Sequence, residues 1–570
     1  MALWALAALL LVPGCGDAGA PTAPVTLERG AVASSYPLAA EIGRQVLERG
    51  GNAVDAAVAV HFALAVCFPN AGNIGGGGFM LIHLPGGGVE ALDYRETAPA
   101  GAEEALFQDS AGNVVAGLSL HSHLAAGVPG SVRGMWAAHR RYGSRPWAEL
   151  LEPAIDIAER GFEIDAWSAA SLERARAAFK RLPAVYRRLN NFVDYFGVTR
   201  GQVLRQPELA ATLRRIADEG AADFYEGQTA RLIVEEMRRG GGLITLEDLA
   251  AYEARWRRPV EGRFRDRRVV SMPPPSSGGI ALVEMLNMLE HFPVQRWHSA
   301  EQVHLVAEIE KRVFADRAAL MGDTDFYPVP VAGLLDEDYA AARAAEIELA
   351  RKSDPQSIGA GRPRLESTET THFSVVDRNL MAVSNTTTLN ASYGSGIVVR
   401  GAGFLLNNEM DDFSAKPGVP NLFGVVGGEA NKIEAGKRML SSMTPTFVFD
   451  RQGRLELVLG SPGGPTIFTT VFQVIVNVVD YGMSLEEAVA APRFHHQWPP
   501  PAADRDPIRC ESRQGFRLPR ASLAGLRRMG YAIEEVREIG DVQAVGLRRG
   551  RALAVSDPRR VGGLRLSAVP

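Results

Sequence analysis

Residues 369–377 (ETTHFSVVD) place two threonines at the head of a predicted β-strand, deep inside a chain of 570 residues. An internal threonine is a poor nucleophile, because its hydroxyl has no neighbouring base. A cut just before Thr370 would free an α-amino group, with a pKa of about 7.7–8.0, that can act as general base for that hydroxyl. Taken alone, however, two threonines before an apolar run are more typical of an ordinary edge strand.

The motifs elsewhere in the chain decide between these two interpretations. In chain order they are 50–57 (GGNAVDAA), 75–79 (GGGGF), 93–96 (DYRE), 127–132 (GVPGSV), 274–279 (PPSSGG), 388–390 (TLN), 407–413 (NNEMDDF), 414–421 (SAKPGVPN), 441–446 (SSMTPT), 460–464 (GSPGG) and 491–498 (APRFHHQW). Together they resemble the γ-glutamyltranspeptidase family of the N-terminal nucleophile hydrolases. The resemblance extends from about residue 30 to the C-terminus.

The resemblance implies an α+β fold, the four-layer αββα sandwich of the N-terminal nucleophile hydrolases. It also implies a precursor that is cut between Glu369 and Thr370. Residues 30–369 would form a large subunit, residues 370–570 a small catalytic subunit, and the two would remain together as a heterodimer. The polar segment 352–369, which contains prolines and glycines, is interpreted as a loop that becomes a free tail after the cut, or as an ordinary connecting loop.

The resemblance also implies which residues carry out catalysis. Thr370 matches the nucleophile, whose hydroxyl first attacks the Glu369 carbonyl and later the γ-amide of a substrate. Thr388 matches a threonine that hydrogen-bonds the nucleophile. Gly463 and Gly464 match the pair whose backbone N–H groups hold the oxyanion, and glycine suits that role because it lets backbone approach a ligand closely.

A γ-glutamyl group carries an α-carboxylate and an α-ammonium, so its recognition needs a cationic fork and a set of acceptors. Arg95 matches the carboxylate-binding arginine, and a bidentate guanidinium is the right partner for a carboxylate. The remaining residues that match the family's substrate-binding set are Ser441 and Ser442 for the carboxylate, and Asn390, Glu409 and Asp412 for the ammonium.

The resemblance predicts a γ-glutamyl hydrolase and transpeptidase that acts on glutathione-like donors, with water, amino acids or peptides as acceptors and with no cofactor. An acylase of the same family, cleaving glutaryl or cephalosporin side chains, is the alternative. Glutaryl lacks the ammonium, so Glu409 and Asp412 favour γ-glutamyl. Residues 417–432 match a loop that covers the site, with Phe423 where several members carry tyrosine. An uncleaved, non-enzymatic binding lipoprotein is the third interpretation.

Bulk composition excludes some classes of function. A net charge of −5 without a basic stripe argues against a nucleic-acid partner. The three cysteines have neither metal-ligand nor disulfide-framework spacing.

No metal is predicted at His495 and His496, since neighbours on an extended chain point opposite ways. The glycine run 75–78 lacks the Lys-Ser/Thr of a phosphate loop.

The amino-terminal segment suggests export. Residues 2–12 are apolar but too short to span a bilayer, which needs about 20 such residues. They suit a secretory signal, and residues 12–15 (VPGC) resemble an imperfect bacterial lipobox with Cys15 as the lipidated residue; simple signal cleavage is the alternative. Residues 1–29 are therefore predicted to be a leader and tether, and the protein to be periplasmic or a membrane-anchored lipoprotein of a bacterium.

Hydrophobic patterning predicts helices layered on antiparallel sheets. The predicted helices are 37–48, a buried helix from an Asn52 cap to about 66, a mainly helical region over 147–253 and 279–320, and 469–481. The predicted strands are 79–84, 89–94, 371–376, 381–388, 446–449 and 455–459.

Overall fold

The computed structural model describes residues 26–27, 30–361, 372–500, 505–548, 550–559 and 567–568. These residues form nineteen strands, β1 to β19. In chain order the strands are Thr26–Leu27, Ala31–Ala33, Gly77–His83, Val89–Tyr94, Phe162–Glu163, Val203–Leu204, Arg255–Arg257, Val260–Phe264, Arg267–Ser271, Phe373–Val376, Ala382–Thr388, Thr446–Phe449, Leu455–Gly460, Phe494–His495, Pro507–Glu511, Ala532–Val536, Gln543–Arg548, Arg551–Ser556 and Ser567–Ala568.

The same residues form nineteen α-helices, α1 to α19. In chain order they are Pro37–Glu48, Ala53–Cys67, Leu118–His121, Ser131–Tyr142, Trp147–Arg160, Ala166–Lys180, Ala184–Arg187, Phe192–Tyr195, Pro207–Glu219, Ala221–Tyr225, Gln228–Gly240, Leu246–Ala251, Ser277–Glu290, Ala300–Leu320, Val331–Leu334, Glu337–Ala345, Thr466–Val479, Leu485–Ala490 and Arg520–Arg528. None of these described helices has both the length and the apolar content needed to cross a membrane.

Two antiparallel sheets of seven strands form the centre of the molecule. One has the strand order β1-β18-β17-β13-β12-β9-β8, and the other has the order β19-β2-β10-β11-β3-β4-β7. Strand β3 shows how the sequence builds this arrangement, because successive side chains of a strand point to opposite faces. Phe79 and Leu81 pack between the two sheets, whereas Met80 and Ile82 pack against helices.

Three apolar clusters fill the spaces between the layers and hold them together. The middle cluster joins the two sheets face to face through residues such as Phe79, Val270 and Val458. A second cluster packs α1, α2, α5 and α9 on the outer face of the β11 sheet. A third packs α13, α14 and α17 on the outer face of the β13 sheet. Helices, two sheets and helices follow one another, and the predicted αββα fold is confirmed.

The first two helices follow the sequence prediction closely. Helix α1 has the predicted bounds. Helix α2 is buried along its whole length, and Asn52 caps it by accepting hydrogen bonds from Val54 N and Asp55 N while the Asp55 carboxylate accepts from Asn52 N. A reciprocal pair of this kind satisfies backbone donors that a helix start leaves unpaired.

Two predicted boundaries shift for reasons of packing. Strand β3 begins at Gly77, two residues before the predicted start, because Gly77 and Gly78 pair with the end of β11. The close approach requires glycine: a Cβ on Gly78 would lie 2.2 Å from the Thr386 carbonyl oxygen. Helix α17 begins at Thr466 rather than Thr469, directly after Pro465, whose fixed φ suits a helix start. Consequently the helix begins immediately behind the 460–464 motif.

Candidate active site

One cavity of about 590 Å³ brings together residues from distant parts of the chain. Six of the residues predicted from the sequence line it: Thr388, Asn390, Glu409, Asp412, Gly463 and Gly464. They come from the end of β11, from a 3-10 turn at Glu409–Asp412, and from the loop between β13 and α17. The sheet ends and the start of α17 therefore form the walls of the candidate active site.

Thr388 ends strand β11 at the cavity. Its hydroxyl oxygen accepts a hydrogen bond from Asn390 N at 2.7 Å, which holds the tight turn that follows the strand. Asn390 adopts a φ of 71°, in the left-handed region that asparagine tolerates better than most residues. Its amide donates to the Asn408 carbonyl oxygen at 2.9 Å, so the turn is tied to the chain segment that carries Glu409.

Arg95 follows β4 and is completely buried. Its Nη2 donates to Asp412 Oδ2 at 2.7 Å, its Nη1 donates to Glu409 Oε1, and its Nε donates to the Met439 carbonyl oxygen at 3.3 Å. The structure thus pairs the predicted carboxylate-binding arginine with two of the residues predicted for the ammonium. We call Arg95, Glu409 and Asp412 the substrate cluster.

Two polar side chains beside the substrate cluster lack hydrogen-bond partners among the described residues. The Ser442 hydroxyl is buried, and so are both carboxylate oxygens of Glu96. Burial raises the pKa of Glu96 to about 7, while Arg95, whose Nη1 is 3.6 Å from Glu96 Oε2, acts in the opposite direction. An unpartnered buried hydroxyl costs free energy, and a bound anion would relieve that cost at Ser442.

Ser441 lies next to this hydroxyl and is fixed through its backbone. Its carbonyl oxygen accepts from Ser277 N at 3.3 Å and from the Ser277 hydroxyl at 3.2 Å. Both predicted serines are fully buried and follow Leu440, whose carbonyl oxygen is 3.5 Å from Arg95 Nη2. The serine pair therefore lies beside the substrate cluster.

The two predicted oxyanion glycines occupy conformations that suit glycine. Gly463 has a φ of 138° and Gly464 a φ of 56°. A Cβ on Gly464 would lie 2.9 Å from the ring of Phe423, so the aromatic side chain packs directly over this turn. Helix α17 starts two residues later, and the positive end of its dipole lies at the cavity. The Gly463–Gly464 turn and a helix start thus meet on one wall.

The segment that matches the covering loop is tied to the acidic turn below it. Asn421 Nδ2 donates to Asp412 Oδ1 at 3.2 Å, and Leu422 N donates to Asp411 Oδ2 at 3.0 Å. Asp411 also accepts from the Ser119 hydroxyl at 2.6 Å. Leu422 and Phe423 line the cavity. The loop is therefore positioned by the same turn that presents Asp412.

Three residues with predicted roles lie outside the described residues: Glu369, Thr370 and Cys15. The nearest described neighbour of the first two is His372, which precedes β10. Its ring lies between the hydroxyls of Ser374, at 2.7 Å from Nε2, and Thr386, at 3.2 Å from Nδ1. Burial lowers the pKa of His372 to about 3, so the ring is neutral at physiological pH.

The sequence did not indicate two further parts of the cavity wall. Glu538 and Gly540 come from the loop between β16 and β17, and Asn70 comes from the loop after α2. None of them belongs to a motif with a chemical signature at fixed spacing. Only the packing of these loops against the 460–464 turn and the end of β11 brings them to the site.

The two adjacent histidines turn to different partners. His495 Nδ1 is 3.1 Å from the Thr469 hydroxyl, and His496 Nε2 is 2.6 Å from Asp506 Oδ1. Across the described ranges, no three His, Cys, Asp or Glu side chains come together as a group that could hold a metal ion.

Comparison with known proteins gives a consistent result. The family description Gamma-glutamyltranspeptidase matches residues 39–566. A "Glutathione hydrolase proenzyme" of Pseudomonas aeruginosa is 49% identical over 549 residues, which cover 94% of each chain. A protein of the same name from Escherichia coli K12 is 44% identical over 95% of this chain and 92% of its own.

A solved structure resembles the whole molecule. The cephalosporin acylase from Bacillus halodurans matches with a TM-score of 0.84 at 26% identity, and the match covers 98% of this chain and 99% of that one. The family description and the two relatives each span most of the chain, as do the motifs that form the cavity. This chain therefore belongs to the gamma-glutamyltranspeptidase family.

Proposed function

We propose that this protein is a γ-glutamyl hydrolase and transpeptidase that cuts its own chain between Glu369 and Thr370. Family membership supports the enzyme class, and the relatives named glutathione hydrolase proenzymes support both glutathione-like donors and synthesis as a precursor. The observation that carries the proposal is the cavity, which joins the oxyanion turn and Thr388 with Glu409 and Asp412. These two acids bind the fully buried Arg95 behind the cavity wall.

The strand register supports Thr370 as the nucleophile. Strand β10 begins three residues after Thr370 and pairs antiparallel with β11, with Phe373 opposite Asn385. Thr388 is three residues beyond Asn385 and lines the cavity. The register of β10 and β11 thus runs toward Thr388. The proposal assigns the Thr388 hydroxyl as the group that hydrogen-bonds the nucleophile.

The chemistry then needs no group beyond the protein's own. The α-amine of Thr370 takes the proton of the Thr370 hydroxyl, and the oxygen attacks the γ-carbonyl carbon of the donor. The C–N bond breaks, the amine leaves with a proton, and a γ-glutamyl ester remains. Water or an acceptor amine next attacks this ester, its C–O bond breaks, and the proton returns to the threonine oxygen.

The turn at Gly463 and Gly464 would stabilise each tetrahedral intermediate. Backbone N–H groups fixed in place need no reorganisation when negative charge develops on the carbonyl oxygen. The positive φ values of both glycines set the direction of these groups, and the start of α17 adds a favourable dipole.

The substrate cluster explains how the α-amino acid end is recognised. In this structure Arg95 donates hydrogen bonds to Glu409 and Asp412 and is buried with them. A γ-glutamyl group supplies one carboxylate and one ammonium, so it can bind Arg95 and the acids while the charge balance stays the same. Ser442 would donate its unpartnered hydroxyl to the carboxylate.

The alternative function is a glutaryl or cephalosporin acylase. The similarity to the solved acylase structure is the reason to test it. A glutaryl group carries no ammonium. It would compete with Glu409 and Asp412 for the Arg95 guanidinium and supply no ammonium to these acids in exchange, which is costly. The acids of the substrate cluster therefore favour γ-glutamyl donors.

A pair of chromogenic substrates tests this choice. We expect γ-glutamyl-p-nitroanilide to be hydrolysed with a kcat/KM about ten- to a hundredfold higher than that of glutaryl-p-nitroanilide, since a lost hydrogen bond to a charged group costs roughly 1.5–3 kcal/mol. The two compounds differ only in the α-amino group. Equal turnover of both would favour the acylase.

Export is part of the proposal. Residues 1–29 would direct the chain to the periplasm, with Cys15 as a lipid attachment site, and the support is the apolar run followed by the lipobox-like sequence. The mass of the amino-terminal peptide of protein purified from membranes tests it: an unmodified Cys15 there would exclude lipidation.

A further inference from the structure

The cavity holds one acidic group that recognition of the γ-glutamyl donor does not use. Among the described residues lining it, three carry charge, and all three are acidic: Glu409, Asp412 and Glu538. The first two belong to the substrate cluster. Glu538 comes from a different loop, and the donor chemistry proposed above assigns it no role.

The loop that carries Glu538 is held firmly at its backbone. Ile539 N donates to Glu511 Oε1 at 2.8 Å, and the Ile539 carbonyl oxygen accepts from Arg493 Nη1 at 2.8 Å. Asp541 N donates to the Ser461 hydroxyl at 2.9 Å. Glu538 is therefore presented to the cavity from a fixed backbone rather than from a free loop.

The position of the loop places Glu538 on the leaving-group side. A Cβ on Gly463 would lie 3.8 Å from Gly540 Cα, so the loop packs against the oxyanion turn. In the proposed function the donor carbonyl would sit at that turn, with its glutamyl end toward the substrate cluster. The amine that leaves, and the amine that later attacks, would then occupy the remaining space. A cavity of about 590 Å³ is in the range that holds a complete small ligand.

The charge of Glu538 is only partly balanced. Arg513 Nη1 lies 3.6 Å from Glu538 Oε2, and the two side chains are 34% and 32% exposed. An ion pair of this length and exposure is weak. Arg513 does not line the cavity, and its Nη1 also donates to the Arg559 carbonyl oxygen. Glu538 thus keeps a negative electrostatic potential in the part of the cavity where the acceptor amine would bind.

We propose that Glu538 determines acceptor specificity: it disfavours acceptors with a carboxylate near the attacking amine and favours those with a cationic side chain. This inference rests on the proposed function, because it requires a γ-glutamyl ester that an amine can attack. It goes further by naming the residue and the acceptor class. In the rival explanation, Glu538 only anchors Arg513, and its charge does not reach the acceptor.

Dipeptide acceptors that differ in the charge of the first side chain separate these explanations. Transfer from γ-glutamyl-p-nitroanilide to Glu-Gly, Gln-Gly and Lys-Gly is measured for the parent, Glu538→Gln and Arg513→Gln. We expect the parent to use Gln-Gly better than Glu-Gly, and Glu538→Gln to raise the Glu-Gly to Gln-Gly ratio of kcat/KM about two- to fivefold, the size of a partly exposed charge interaction. The Lys-Gly to Gln-Gly ratio should fall by a similar factor.

Arg513→Gln gives the sharper contrast. Removing the partner of Glu538 exposes more of its charge, so discrimination against Glu-Gly should increase, opposite to Glu538→Gln. Both variants shifting the ratio the same way would show that the ion pair itself matters, and would overturn the proposal. Unchanged ratios in both variants would also overturn it. Glu535→Gln, an exposed acid on β16, is the control and should leave all ratios at parent values.

Hydrolysis of γ-glutamyl-p-nitroanilide without acceptor separates failure of the proposed function from failure of the acceptor inference alone. No hydrolysis by the parent would defeat the proposed function, and the acceptor inference with it. Normal hydrolysis without transfer to any of the three dipeptides would overturn the acceptor inference alone.

Discussion

The buried ions around Arg95 and the buried ions along helix α14 are similar in composition but differ in their surroundings. On α14, Lys311 Nζ donates to Glu308 Oε1 at 2.8 Å and to Asp506 Oδ2 at 2.9 Å. Asp506 is also 2.6 Å from His496, and the Tyr531 hydroxyl donates to Glu308 at 2.7 Å. We call these five residues the α14 network.

The two groups differ in what they border. Helix α14 belongs to the predicted large subunit and Asp506 to the predicted small one, and no member of the α14 network lines the 590 Å³ cavity. The acids of the substrate cluster do line it, and the unpartnered Ser442 hydroxyl lies close by. Buried charge alone therefore does not identify a site. An adjoining cavity and an unused donor do.

The comparison predicts that damage to the α14 network lowers stability. Lys311→Met would remove two charged hydrogen bonds, while Glu308 keeps Arg312 Nη1 at 3.0 Å and Asp506 keeps Lys352 Nζ at 2.9 Å. The expected loss of stability is therefore roughly 1.5–3 kcal/mol. We expect a lower midpoint of urea unfolding and a KM for γ-glutamyl-p-nitroanilide close to the parent value. The exposed Lys180→Met is the control. An unchanged midpoint for Lys311→Met would mean that the network contributes little.

Damage to the substrate cluster should instead appear in the kinetics. Arg95→Lys keeps the charge but loses the planar fork, and we expect kcat/KM to fall on the order of a hundredfold. The matched control is Arg265→Lys, whose guanidinium binds Asp480 at 2.9 and 3.1 Å away from the cavity. Parent-like kinetics in Arg95→Lys would exclude Arg95 as the carboxylate clamp.

The smallest expected effect concerns the unpartnered hydroxyl. Ser442→Ala removes a donor that has no partner among the described residues and that substrate would use, so KM should rise about tenfold, the cost of one hydrogen bond to a charged group. Stability should not fall, because no described hydrogen bond is lost. Ser271→Ala provides the contrast, since its hydroxyl already donates to the Pro445 carbonyl oxygen at 2.9 Å. A destabilised Ser442→Ala with normal KM would reveal a structural role instead.

Local patterns were sufficient to predict much of the fold. Strands β3 and β4, helix α1 and the Asn52 cap of α2 appear in the structure close to where they were predicted. The predicted start of α17 is three residues late, because Pro-Gly-Gly is typical of a turn and the helix begins directly after it, with Ile467 and Phe468 already buried.

The candidate site was predictable as a set of residues but not as a set of contacts. The family motifs indicated Arg95, Glu409 and Asp412 separately. That they bond to one another, across 314 and 317 residues of sequence, depends on how the β4 end meets the turn at Glu409–Asp412. Glu538 lies in no motif, and of the α14 network only His496 does, in residues 491–498. Only tertiary packing brings their partners together.

The masses of the purified chains test the central claim most directly. The account predicts two chains that divide between Glu369 and Thr370, with Thr370 as the first residue of the smaller one. Thr370→Ala should remain one inactive chain, whereas Thr370→Ser should keep some cleavage and activity. A cut one residue later would move the nucleophile to Thr371 and leave the mechanism intact. A single uncut chain with full activity would contradict the account.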